Sequence, residues 1–240
     1  MLLLALALLV LPLLRRSSAA GSELPAPVPG DAAEALSWPA VWSLGSSASP
    51  RCKGRLPVIP AASSAWGTQV REGLTAPLVW GWTGPGQRAT GEAYPGRLVA
   101  DVETYVTASG AARWTGARSE LSAAAWLAAR CPAVTSHGFV APQLREVLGV
   151  FARAGRVGIP QVYDSDKSTA ADPRRFLRDC VRSYEKAGFQ RVVPLLGLTA
   201  GQAIVAEWVD ECGRLGLNYH IWSLQRLLEG QEADCAIVAP

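Results

Sequence analysis

From Leu56 onward the sequence alternates short, nearly continuous apolar runs with stretches of helical periodicity, and no other feature narrows the fold as much. A strand that is apolar on both faces must be covered on both, and parallel neighbours need a long crossover, usually a helix. The runs predict strands at Leu56 to Pro60, Pro77 to Trp82, Leu98 to Thr104, Ala133 to Val140, Val157 to Tyr163, Arg191 to Gly197, Leu217 to Leu224 and Cys235 to Ala239. Helices are expected at Ser64 to Leu74, Arg118 to Arg130, Gln143 to Ala154, Pro173 to Ala187 and Gly201 to Leu215. The last two are best marked. Asp172 stands where an N-cap belongs, Pro173 suits a first helical position, and Gly188 and Gly216 fall where C-terminal glycines do. The expected fold is α/β, a single compact parallel (β/α)8 TIM-type barrel whose final strand lacks a following helix. Val41 to Leu44 is an alternative first strand, which would displace one of the eight.

The chain begins with an apolar run, Met1 to Leu14, followed by Arg15, Arg16 and the small residues Ser18, Ala19 and Ala20. Such a run is short for a membrane span and suits the core of a signal peptide. Export with cleavage after Ala20 is expected. The arginines on the far side of the run, with no basic residue before it, leave open an uncleaved anchor through residues 1–14. Residues 21–50, rich in Ala, Pro, Ser and Gly, read as a tether. Residues 51–240 then form the barrel domain, and a monomer is expected.

The formal charge is +3, and it drops to +1 without residues 1–20, which hold two Arg and no acids. That balance points to neither nucleic acid nor an anionic membrane surface. No GxGxxG or GxxxxGK[ST] follows any strand, so a nucleotide cofactor is not expected. The five cysteines, Cys52, Cys131, Cys180, Cys212 and Cys235, lack metal-site spacing, and two histidines cannot supply a transition-metal centre. Neither a metal nor another cofactor is expected. Cys180 and Cys212 lie in adjacent predicted helices and form the candidate disulfide, with simple burial as the alternative.

The chemistry concentrates at Asp101 and Glu103, near the end of the apolar run Leu98 to Thr104. Residues two apart on a strand project to one face, so two carboxylates share a side that otherwise wants burial. Like charges held close in a poorly solvated place push one pKa upward and keep a proton available, which suits general acid and base work. The alternative is structural, one acid capping the following loop and the other pairing with an arginine. Other strand ends supply Trp82, His137, Gln161, Tyr163, Asp164 and Trp222. Indole and phenol rings stack on the apolar faces of sugars while their polar edges find partners. His137 is either a ligand contact or a rim residue. Asp164 either orients a hydroxyl or belongs to ordinary loop chemistry.

The series Val99-Ala-Asp-Val-Glu103, Gly158-Ile-Pro-Gln-Val-Tyr163, Val192-Val-Pro-Leu-Leu-Gly197 and Tyr219-His-Ile-Trp-Ser223 resembles the strand-end pattern of glycoside-hydrolase-like TIM barrels. These include the glycoside hydrolase family 25 lysozymes and related exported or phage-borne barrels. The resemblance spans roughly residues 95 to 225. It implies an exported glycosidase acting on a polysaccharide or peptidoglycan, with Glu103 as general acid and Asp101 holding its proton balance. It also implies that Gln161 and Tyr163 position substrate, a nucleophilic water or an acetamido group, with Trp82 and Trp222 as sugar platforms. Family 25 enzymes carry a further Asp at the end of the first strand, which neither Leu56 to Pro60 nor Val41 to Leu44 supplies. A barrel that binds glycan without cutting it is therefore the alternative.

Overall fold

The computed structural model describes residues 32–33, 36–37, 39–43, 58–62, 77–86, 88–104, 113–163 and 171–222. The expected signal peptide, the helix at Ser64 to Leu74 and the strand at Cys235 to Ala239 lie outside the described residues, as do Cys52, Asp164 and Cys235.

Eight strands form one sheet: β1 (Ala40–Ser43), β2 (Val58–Pro60), β3 (Val79–Trp82), β4 (Leu98–Asp101), β5 (Ala133–His137), β6 (Val157–Val162), β7 (Leu195–Gly197) and β8 (His220–Trp222). Their order is β2-β1-β8-β7-β6-β5-β4-β3, and every pairing is parallel. The sheet curls until its edge strands approach each other. They meet at a single bridge, Ala61 opposite Trp80, where Ala62 N donates to Trp80 O at 2.7 Å. What the described residues form is thus a curled parallel α/β sheet, and no full ladder between β2 and β3 closes it in the manner of the expected barrel. The crossovers from β1 to β2 and from β2 to β3 run through residues outside the description.

The first strand is the alternative that the sequence offered at Val41 to Leu44. Ala40–Ser43, placed in the tether, sits inside the sheet between β2 and β8. Ala32, Leu36, Ala40 and Trp42 are buried in its core, so the folded unit begins well before residue 51.

Helices cover the outer face: α1 (Arg88–Ala93), α2 (Leu121–Ala128), α3 (Arg145–Arg153), α4 (Pro173–Lys186) and α5 (Gln202–Leu215), with 3-10 turns leading into α2 and α3. The capping signals act as expected. The Asp172 carboxylate accepts from Arg175 N at 2.9 Å, and Gly216 takes the left-handed conformation (φ 65°) that ends α5. The ion pairs Arg174–Asp210 (2.7 Å) and Arg178–Glu211 (2.7 Å) join α4 to α5. The short α1 has no counterpart in the sequence reading. Its Gly91 lies under Trp126, and a Cβ there would stand 2.7 Å from the indole.

Alternation along the strands divides the apolar residues into two layers. Val79, Leu98, Ala100, Val134, Leu196 and Ile221 pack under the helices with Leu127, Phe151, Leu177, Tyr184 and Trp208. Their neighbours Trp80, Val99, Ala133, Ile159 and Leu195 turn inward, joined by Trp42 and Ile59. Trp208 fills the helix layer, its Nε1 donating to Pro173 O at 2.9 Å. The expected Cys180–Cys212 disulfide is absent. Both thiols, like that of Cys131, are free and buried in the helix layer, and burial pushes each up to about 12.

Candidate functional site

The inward-facing positions change character toward the C-terminal ends of the strands. Val99 is followed two residues on by Asp101, Ile159 by Gln161, and His220 by Trp222. This end collects Trp42, Trp80, Trp82, Asp101, Glu103, Gln161, Tyr163 and Trp222 around a pocket of about 310 Å³. Ligands of parallel α/β sheets bind at this end of the strands.

Asp101 is the last residue of β4, and Glu103 lies just beyond the strand expected to contain it. The backbone there is nevertheless fixed. Thr83 N and Thr83 Oγ1 both donate to Asp101 O (3.0 and 3.2 Å), Val102 N donates to Thr135 O (2.9 Å), and Trp114 N donates to Glu103 O (2.9 Å). Ser136 Oγ adds a bond to Val102 O, and Trp114 Nε1 one to Thr83 O. Both carboxyl groups are therefore held in place although each is only 4% exposed.

Gln161 joins them. Its Nε2 donates to Asp101 Oδ1 at 3.1 Å and to Glu103 Oε1 at 2.9 Å, so the two oxygens stand within about 6 Å of each other. The acids lie side by side on one wall. Burial, then the charge of Glu103, then a hydrogen bond shared with Glu103 raise the Asp101 carboxyl well above the usual carboxylate range, and the Gln161 bond offsets part of this. These surroundings favour the protonated form of Asp101. Glu103 Oε2 is buried and has no hydrogen-bond partner among the described residues.

The aromatic walls interlock around Trp80. Trp42 stacks on it (centroids 5.7 Å apart, 22° between planes), while Trp82 (5.3 Å, 80°) and Trp222 (4.9 Å, 82°) meet it edge to face. Tyr163 stacks on Trp222 at 6.3 Å. Trp42 and Trp80 are buried, whereas Trp82, Tyr163 and Trp222 are half-buried and form the mouth. Trp42 Nε1 donates to Nδ1 of the buried His220 at 2.9 Å, which places that imidazole's proton on Nε2.

Of the residues singled out from sequence, Asp101, Glu103, Trp82, Gln161, Tyr163 and Trp222 come together here. His137 does not line the pocket. It pairs in register with Gln161 and shares a hydrogen bond of 3.0 Å between its Nε2 and Oγ1 of Thr104, the residue after Glu103. Trp42 and Trp80 complete the walls. The signal for Trp42 is its strand register, since it pairs directly with Trp222. Gly197 also belongs to the site, because its missing side chain is the space the Tyr163 ring occupies: a Cβ would lie 2.7 Å from Tyr163 Cδ1.

Among the described residues no three His, Cys, Asp or Glu side chains gather as metal ligands, and no helix is long and apolar enough to cross a membrane. Neither a protein-family model nor a curated protein matches the sequence.

Proposed function

We propose that this chain is an exported glycosidase-like protein that hydrolyses glycosidic bonds of a polysaccharide, cell-wall glycan included, with the Asp101–Glu103 pair as the acid. What carries this reading is the Asp101–Glu103 carboxyl pair, buried, bridged by one amide and walled by indoles. Glu103, nearer the mouth along the chain, delivers a proton to the leaving glycosidic oxygen, and Asp101 supplies the proton balance behind it. Proton transfer of this kind accelerates bond cleavage by about 10²–10⁴-fold. Gln161 keeps the two oxygens in register. Tyr163, at the mouth, orients the sugar or the water that attacks it, while Trp82 and Trp222 offer faces for the ring. Export rests on the apolar run of residues 1–14 and the small residues that follow it.

One observation favours a second reading, a glycan-binding module without activity. The two acids are bridged by one amide, and the described lining residues include no third carboxylate to act from the opposite side of a sugar. Reducing-end release from a panel of peptidoglycans and polysaccharides separates the two. Hydrolysis abolished by Glu103→Gln is the expected result. Retention of a glycan that is never cut would remove the enzymatic reading and leave the binding one.

A further inference from the structure

Resting on the glycan reading of the same pocket, we propose that the sugar it accepts carries a free ammonium group, an amino sugar whose nitrogen is not acylated, with its charge held by the Asp101–Glu103 pair at Glu103 Oε2. Among the described residues the lining is four indoles, one phenol, two carboxyl groups and one amide, none of them basic. Gln161 satisfies Glu103 Oε1, whereas Oε2 is buried with no partner among the described residues. A carboxylate oxygen left dry and without a donor costs about 1–3 kcal/mol or more, and an ammonium group supplies both the donors and the opposite charge.

The walls favour the same ligand. Electron-rich ring faces attract cations by about 0.5–2 kcal/mol, most strongly for indole in a desolvated site. Trp82 and Trp222 each stand nearly perpendicular to Trp80, so the aromatic surfaces enclose the pocket from several directions. The two carboxyl groups put negative charge at this wall, and no described lining side chain offsets it. An acidic sugar would be repelled by that charge, and a neutral one would leave it uncompensated.

The test is titration of the full chain with glucosamine and with N-acetylglucosamine, followed by tryptophan fluorescence and calorimetry near pH 6, where an ordinary amine is charged. Glucosamine is expected to bind about tenfold more tightly, a ratio equivalent to about 1.4 kcal/mol. Glu103→Gln, which keeps the shape and removes the charge, levels the two affinities. Equal or tighter binding of N-acetylglucosamine overturns the inference, and so does failure of both sugars to bind. If Glu103→Gln does not fold, the ratio measured on the unaltered chain decides alone. The two proposals fail separately. Cleavage of acetylated glycan without an ammonium preference removes only this one, and an ammonium preference without cleavage of any polymer removes only the hydrolytic one.

Discussion

Replacing Gln161 by Leu keeps nearly the same volume in the pocket wall while withdrawing the one amide that holds both acids. Two bonds of 3.1 and 2.9 Å are lost at a side chain that is 9% exposed, and Glu103 Oε2 already lacks a partner among the described residues. A buried hydrogen bond to a charged acceptor is worth about 1.5–3 kcal/mol. Because one group donates both bonds, the expected loss is about 3–5 kcal/mol at neutral pH. For a folded unit of this size that lowers Tm by about 10 °C. The pH dependence has a definite sign. The Gln161 bond lowers the proton affinity of Asp101, so its removal raises a carboxyl that already lies above its unfolded value. A raised carboxyl loses stability as pH climbs from the unfolded toward the folded pKa. The deficit of Gln161→Leu must therefore be larger near pH 8 than near pH 5. Thermal unfolding by circular dichroism at both pH values reads it directly. An unchanged Tm, or a deficit that shrinks as pH rises, would refute the bridging role.

Gly197→Ala places a methyl 2.7 Å from Tyr163 Cδ1 and 3.4 Å from its Cα, so the ring cannot simply swing clear. It should cost about 1–3 kcal/mol in Tm measurements, and weaken sugar binding because Tyr163 leaves its place beside Trp222. Glu211→Gln weakens one of the ion pairs that join α4 to α5. Burial raises the Glu211 carboxyl, but bonds and charges from Arg178 and Arg214 outweigh this and hold it below the usual range. Both arginines are partly solvated, so the expected loss is about 1 kcal/mol. It is present above the unfolded pKa and vanishes as pH falls through the folded one, which urea titrations at neutral and acid pH would reveal.

The site was readable from sequence wherever a local pattern carried it. Asp101 and Glu103 interrupt an apolar run with a spacing of two, and Gln161 with Tyr163 repeats that spacing, so period and polarity alone predict convergence on one face. Trp42 was not readable in this way. Its strand, which the sequence offered only as an alternative, is embedded in a segment rich in Ala, Pro, Ser and Gly, and it is fixed by pairing with both β2 and β8, the latter some 180 residues away. The helix Arg88–Ala93 escaped for a different reason. It has a glycine at its centre and no apolar stripe, and it is held by the indole of Trp126 packing over Gly91. Strand ends were overextended at Thr104 and Val140, where apolar character continues after the ladder stops. The cysteine expectation failed because small apolar volume and pairing leave the same trace in a sequence.

The position of β1 between β2 and β8 has a consequence for how the molecule is made. Its inner neighbour across the sheet is one of the last described stretches to leave the ribosome, and the Trp42–His220 contact closes a loop of 178 residues. Contacts so distant in the chain form late and slowly. The emerging N-terminal strand must wait, unpaired on that side, while the central strands and their helices assemble. Among the described residues, the side of the pocket formed by Trp42 and Trp222 is consequently completed late. A chain halted before His220 presents its two acids to solvent, with neither Trp222 nor a seated Trp42 beside them, and recognition arises only in the finished product.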